Sequence, residues 1–245
     1  MPRKSTNRAA SANNDVKHDP PKTLDDHPFF GLKLDEEQTA FRNAIWDDQY
    51  VAVFADSKAG TGKTTIAVAT AMLLVEYGKF SGMYYITEAG VHETKQGLLP
   101  GSIEEKSAPL FAPLFQAVSR LGYDPSRVVV NDFNMMAQKN GTAVINAITD
   151  SYVRGISIGE KDSPVVVLID ESQNMTLPVI RTVLSRINDG SKVICIGHQG
   201  QVDLKYPQDS GFSRALERYK KEEWCKVCNL TKNYRGKISM VADEL

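Results

Sequence analysis

Nine consecutive residues, Ser57-Lys58-Ala59-Gly60-Thr61-Gly62-Lys63-Thr64-Thr65, combine two glycines, a cation and hydroxyls in a spacing suited to holding phosphate groups. Glycines let a loop fold tightly enough for successive N–H groups and a helix N-terminus to face phosphate oxygens. Lys63 adds a full positive charge near the β and γ positions, and Thr64 offers a hydroxyl to Mg2+. The segment departs from the Walker A pattern only in its first glycine, which is Ser57 here; if that position needed a positive φ, the serine would be strained. ATP with Mg2+ is the expected ligand, bound by residues 57 to 65.

A second group follows the apolar run Val165 to Ile169, which ends in Asp170 and Glu171. Adjacent carboxylates at the end of a buried strand repel unless a cation or proton intervenes. With Mg2+ present the pair makes chemical sense. Asp170 supports the ion through its water, and Glu171 orients or deprotonates the water that attacks the γ-phosphate. A third group, Gly197-His198-Gln199-Gly200-Gln201, follows the run Lys192 to Ile196.

These groups need strands that end where they begin. Tyr50 to Ala55, Met83 to Thr87, Val128 to Val130, Val165 to Ile169 and Lys192 to Ile196 are short β-rich runs, and the longest do not alternate, which is the pattern of strands covered on both faces. Lys63 to Tyr77 reads as a helix apolar nearly all round, closed by Gly78. Leu110, Phe111, Leu114, Phe115, Val118 and Leu121 share one helical face, as do Val179, Ile180, Val183, Leu184 and Ile187. Alternating units of this kind predict an α/β fold with a mainly parallel sheet and helices on both faces. Ligands in such sheets bind beyond the carboxyl ends of the strands, where the three groups fall.

The chain has 245 residues, 42% hydrophobic and 24% charged, with a formal charge of -1. That composition suits one sizeable globular core and gives no overall attraction to nucleic acid, so such binding would need a local basic channel. Residues 1 to 27 are polar and read as a disordered tail ahead of a single core over 28 to 245. No apolar run approaches the roughly 20 residues needed to cross a bilayer, and a cytoplasmic location is expected. The cysteines Cys195, Cys225 and Cys228 are too few for a disulfide framework, and Cys225-Lys-Val-Cys228 lacks a second pair to complete a zinc site.

Asp170-Glu-x-Gln173 after one strand and Gly197-x-x-x-Gln201 after the next resemble motifs of superfamily-one helicases. Leu99-Pro-Gly101-Ser-Ile-Glu104-Glu105-Lys106, Asp170-Glu-Ser-Gln173-Asn174 and Gln201-Val-Asp203-Leu204, together with the phosphate loop, resemble the PhoH family of P-loop ATPases from about Asp56 to Arg235. The resemblance implies a RecA-like ATPase core that is related to helicases and associated with RNA. It carries phosphate and magnesium roles onto Gly60, Gly62, Lys63 and Thr64, and magnesium and water roles onto Asp170 and Glu171. Gln201 becomes a γ-phosphate sensor. Leu34-Asp-Glu-Glu-Gln38 resembles the motif by which helicases hydrogen-bond adenine, although Asp35 and Gln38 also read as an ordinary helix start. Leu230-Thr-Lys-Asn-Tyr234-Arg235 resembles the segment that supplies a charge-neutralising arginine. Arg154-Gly155 matches part of the family's Arg-Gly-Arg segment. The chain departs from the family at His198, at Ile156 and at Thr87, where aspartate and two arginines are usual.

One core in place of a helicase's two implies a homo-oligomer, possible as a hexameric ring, whose neighbour offers Arg235 in trans and whose channel takes a single strand of RNA or DNA. Two other functions share the loop: a nucleotide-gated scaffold with slow turnover, and a P-loop kinase. The second would not place Glu171 beside the γ-phosphate to prepare water.

Overall fold

The computed structural model describes residues 19–89, 108–131 and 139–242. Seven strands form one sheet: β1 (Ala52–Ser57), β2 (Met83–Thr87), β3 (Val129–Val130), β4 (Ile145–Thr149), β5 (Val166–Ile169), β6 (Lys192–Gly197) and β7 (Cys225–Leu230). Their order is β3-β4-β2-β5-β6-β1-β7, and every pairing is parallel. The crossover from β1 to β2 leaves room for β5 and β6 between them. In register, Val167 pairs with Val193 and Val53 with Ile194, so the carboxyl ends of β5, β6 and β1 emerge side by side.

Helices cover both faces, each over its own apolar cluster. One face carries α1 (Glu36–Trp46), α2 (Lys63–Glu76), α3 (Ala112–Arg120) and α4 (Pro125–Val128). The other carries α5 (Asp150–Val153), α6 (Leu177–Leu184) and α7 (Gly211–Tyr219). A short α8 (Lys237–Ala242) follows β7. Ten of the fourteen residues of α2 are buried, which is why its sequence shows no polar stripe. Truncating a core side chain there, such as Leu74, costs about 2–5 kcal/mol, so this helix holds the phosphate loop rigidly. It ends at Glu76, with Tyr77 as its C-cap and Gly78 following at φ 69°, within a residue of the stop the sequence suggested. No helix among the described residues is long and apolar enough to cross a membrane.

Four expectations change. Residues 19 to 27, read as part of a tail, are tied to the core: Leu24 is fully buried, the indole of Trp46 donates to the Pro21 carbonyl at 3.0 Å, and Asp25 pairs with Arg42 at 2.9 Å. One apolar anchor in a polar stretch leaves little compositional trace. Val128 belongs to α4, leaving a two-residue β3. Strand β4 went unread since Asn146 is exposed and breaks its apolar run. Ile187 lies beyond α6, bridged to Ile158. The Leu99-to-Lys106 motif lies outside the described residues.

Candidate functional site

The loop between β1 and α2 has the two positive-φ positions its glycines allow, Gly60 at 75° and Gly62 at 82°. A side chain on Gly60 would also come within 2.5 Å of Asn233 Oδ1 and 2.9 Å of Arg235 Cγ. Ser57 is the last residue of β1, paired with Leu230, and its φ is not positive. The strain considered for it does not arise; the missing glycine falls on a strand position that any residue can adopt. Lys63 is buried at the first position of α2, and its ammonium donates to the Ser57 carbonyl at 3.3 Å. It therefore points back over the loop.

Asp170, wholly buried at the end of β5, accepts hydrogen bonds from three donors. Oδ2 takes the Thr64 hydroxyl at 3.0 Å and the Tyr85 hydroxyl at 2.8 Å, and Oδ1 takes the Glu171 N–H at 2.9 Å. Burial, and then the neighbouring Glu171 carboxylate, push its pKa up to about 6, against the pull of Lys63, Tyr85 and the Glu171 N–H. A cation beside Asp170 would relieve both causes. Thr64 and Asp170 supply hard oxygen atoms in contact with each other, the donor set by which Mg2+ is held when phosphates provide further ligands. The residues present fit that ion.

Glu171 has φ 50° and ψ 33°, a left-handed backbone that costs a non-glycine residue on the order of 1–3 kcal/mol. Its neighbours hold it there. Gln173 Nε2 donates to Glu171 Oε2 at 2.7 Å, and Gln173 Oε1 accepts the His198 N–H at 3.1 Å. Ser172 Oγ donates to the Ile196 carbonyl at 2.7 Å, and Asn174 Oδ1 accepts the Asp203 N–H at 2.8 Å. The turn after β5 is thus stitched to the loop after β6. Gly197 makes the approach possible, since a Cβ there would lie 2.8 Å from Ser172 Oγ. The roles of Ser172, Gln173 and Asn174 went unassigned from sequence, although Gln173 and Asn174 were visible in the motif.

A cavity of about 810 Å³ brings the expected residues together: Ala59, Gly60, Gly62, Lys63, Thr64 and Thr65 from the loop, then Glu171, Gln201, Gln38 and Arg235. Ser57, Lys58 and Thr61 are not among its lining residues: Ser57 and Thr61 are buried and Lys58 is exposed. Thr61 Oγ1 donates to the Lys58 carbonyl at 3.2 Å. Gln38 completes a capping box with Asp35 at the start of α1, and its Nε2 donates to the Thr61 carbonyl at 2.8 Å. It is a helix start and a cavity wall at once. His198 lies beside Asp56, Nδ1 to Oδ1 3.5 Å.

Arg235 lines the cavity of its own chain. The segment after β7 lies along the loop, with the Tyr234 N–H donating to the Gly60 carbonyl at 2.9 Å and the Lys58 N–H to Leu230 at 3.2 Å. Thr231 is bonded to Glu37, and the Tyr234 hydroxyl to Asp35. Arg235, expected to serve a neighbour's site, lies against its own chain's cavity because β7 pairs with β1 and the segment leaving it must cross the loop leaving β1. Tyr234, half-exposed against the same cavity, was missed as a lining residue. Cys225 and Cys228 sit three apart on β7 and join opposite apolar clusters, so they diverge.

A parallel α/β sheet with this loop after β1, paired acids after β5 and a polar loop after the intervening β6 defines a P-loop nucleotide-binding core of the RecA-like kind. The family model described as "PhoH-like protein" matches residues 33–241. The chain belongs to the PhoH-like protein family. Protein PhoH2 of Bacillus subtilis (strain 168) is 28% identical over 229 residues, 91% of this chain and 49% of that one. Protein PhoH of Escherichia coli (strain K12) is 30% identical over 193 residues, 78% of this chain and 51% of that one. The chain spans about half the length of the curated relatives it matches. Among solved structures, Bacteroides sp Pif1 in complex with ADP-AlF4 aligns over 86% of this chain and 45% of its own, with 16% identity and a TM-score of 0.41. The Sulfolobus solfataricus SWI2/SNF2 ATPase core aligns over 86% and 47%, with 14% identity and a TM-score of 0.45.

Proposed function

We propose that the protein is a Mg2+-dependent ATPase that acts on single-stranded nucleic acid, RNA in preference to DNA. The observation that carries the hydrolytic reading is the Glu171 carboxylate, held by Gln173 at 2.7 Å on the wall of the cavity that Lys63, Thr64 and Gln201 also line. A carboxylate fixed there can prepare water, which a kinase would need to exclude. Mg2+ would be held by Thr64 and, through water, by Asp170, and would supply charge neutralisation at the phosphates. Lys63 and the loop N–H groups bind the β and γ oxygens. Gln201 reports the γ-phosphate to the loop after β6, which Gln173 and Asn174 tie back to Glu171.

The test is ATP hydrolysis with and without single-stranded RNA and DNA, at stated salt because backbone contacts are salt-dependent. Stimulation by RNA above DNA supports the reading. Phosphate transferred to another acceptor overturns it, and turnover below about one per hour points to a nucleotide-gated switch.

Arg235, placed in cis, is proposed to stabilise transition-state charge in its own site. Arg235→Ala should lower hydrolysis by roughly 10³-fold, by analogy with arginine fingers. Mixing Arg235→Ala with Lys63→Ala protein should restore nothing, because neither chain holds a complete site. Recovery on mixing would return the arginine to the subunit interface and support the ring.

Gln38 is proposed to read adenine with the one amide N–H that the capping box and the Thr61 carbonyl leave over, beside the Tyr234 ring as a stacking surface. Gln38→Glu keeps the acceptor for the Asp35 N–H but loses both amide donors. Preference for ATP over GTP should fall in Gln38→Glu and in Gln38→Ala alike, measured by competition for nucleotide binding. Base preference unchanged in both variants would leave Gln38 a helix cap only.

A further inference from the structure

Every second residue of β2 faces the cluster of α1, α2 and α3, and an aliphatic side chain at position 85 would fill that place without needing a partner. The chain has a tyrosine. Its ring is wholly buried, edge-on to Phe111 with centroids 6.4 Å apart, and a phenol hydroxyl buried there must find an acceptor. The parallel register sets Tyr85 opposite Leu168, two residues short of Asp170 and on the same face of the sheet. The length of the ring covers that distance, and the hydroxyl donates to Asp170 Oδ2 at 2.8 Å.

An ionised carboxylate has about four lone-pair sites. Three at Asp170 are filled, by β2 through Tyr85, by α2 through Thr64 and by the Glu171 N–H. One site on Oδ1 remains. The Thr64 hydroxyl can offer an oxygen lone pair to the ion while its hydrogen still donates to Oδ2, so it is shared with the ion, whereas Tyr85 is the donor held to Oδ2 irrespective of the ion.

We infer that Tyr85 is a positioning residue for the magnesium site: its hydroxyl fixes the Asp170 carboxylate in the one orientation that leaves a single free lone pair for a magnesium-bound water. The inference rests on the ATPase reading, and its test separates the two. Tyr85→Phe retains the ring and its packing on Phe111 and removes only the hydroxyl. The half-saturating MgCl2 concentration for binding a fluorescent ATP analogue should rise about tenfold, within the range seen when a group supporting a metal ligand is removed. Binding of the same analogue in EDTA should be unchanged. In an Asp170→Asn background the Tyr85→Phe change should add nothing to the magnesium requirement. A thermal unfolding scan of each variant shows that it is folded.

Two results overturn the inference while leaving the ATPase reading in place. One is a wild-type magnesium requirement in folded Tyr85→Phe; the other is equal weakening with and without Mg2+, which marks a purely structural hydroxyl. Wild-type protein whose nucleotide binding ignores Mg2+ overturns the ATPase reading itself, and this inference with it.

Discussion

Lys63→Ala is expected to abolish ATP hydrolysis, by on the order of 10³-fold or more, and to leave the fold intact. Lys63 is the positive charge that the loop between β1 and α2 turns into the cavity proposed to hold the phosphates, and in a water-poor site such a charge is worth far more than in bulk solvent. Its structural part is small. Among the described residues the ammonium makes one hydrogen bond, to the Ser57 carbonyl, whereas α2 is held by Ile66, Val68, Leu73 and Leu74 in the core. The unfolding midpoint should therefore move by no more than about 3 °C, which in a domain of this size corresponds to roughly 1 kcal/mol. Phosphate release and a thermal scan on the same preparation check both halves. A folded variant with wild-type turnover would sink the assignment of the loop.

The two acids should separate cleanly. Glu171→Gln removes the base but keeps the size of the side chain, so ATP should bind and persist while hydrolysis falls by roughly 10²–10⁴-fold. Asp170→Asn should instead weaken magnesium-dependent binding, and here the structure adds a cost that the sequence did not show. Asp170 takes donors on both oxygens, two hydroxyls on Oδ2 and the Glu171 N–H on Oδ1. An amide NH2 turned toward the Oδ1 side meets the Glu171 N–H, which cannot accept, and turned toward the Oδ2 side it forces the Thr64 and Tyr85 hydroxyls to give up their present bonds and accept. Stability should fall by about 1–3 kcal/mol, the usual cost of an unsatisfied buried polar group, together with the loss of magnesium dependence. Nucleotide binding with MgCl2 and with EDTA, beside a denaturant midpoint for each variant, distinguishes the pair. Identical behaviour of the two would refute the division of labour between them.

Much of this site was legible because its chemistry is local. Gly60-x-Gly62-Lys63-Thr64 encodes its own backbone, since positive φ at two positions is a property of the residues themselves. Likewise, an apolar run ending in Asp170 and Glu171 announces a buried strand whose acids need a cation. The buried helix α2, its stop at Gly78 and the parallel α/β class followed from periodicity alone. Strand β4 did not, because one exposed Asn146 in five residues hides a half-buried strand. Nor did the anchoring of Leu24, which rests on a single side chain.

What only the tertiary structure decided are the relations between residues far apart in the chain. Sequence and motif left Arg235 between a neighbour's site and an ordinary surface position after the last strand. Pairing of β7 with β1 settles where it lies, because the segment leaving one strand must pass the loop leaving the other. The insertion of β6 between β1 and β5 likewise sets Gln173 against the His198 N–H, and the pairing of β2 with β5 carries the Tyr85 hydroxyl to Asp170. Residue types and short spacings specify backbone conformation and intrinsic chemistry. Strand order, which depends on how the whole core packs, specifies which of those chemistries meet.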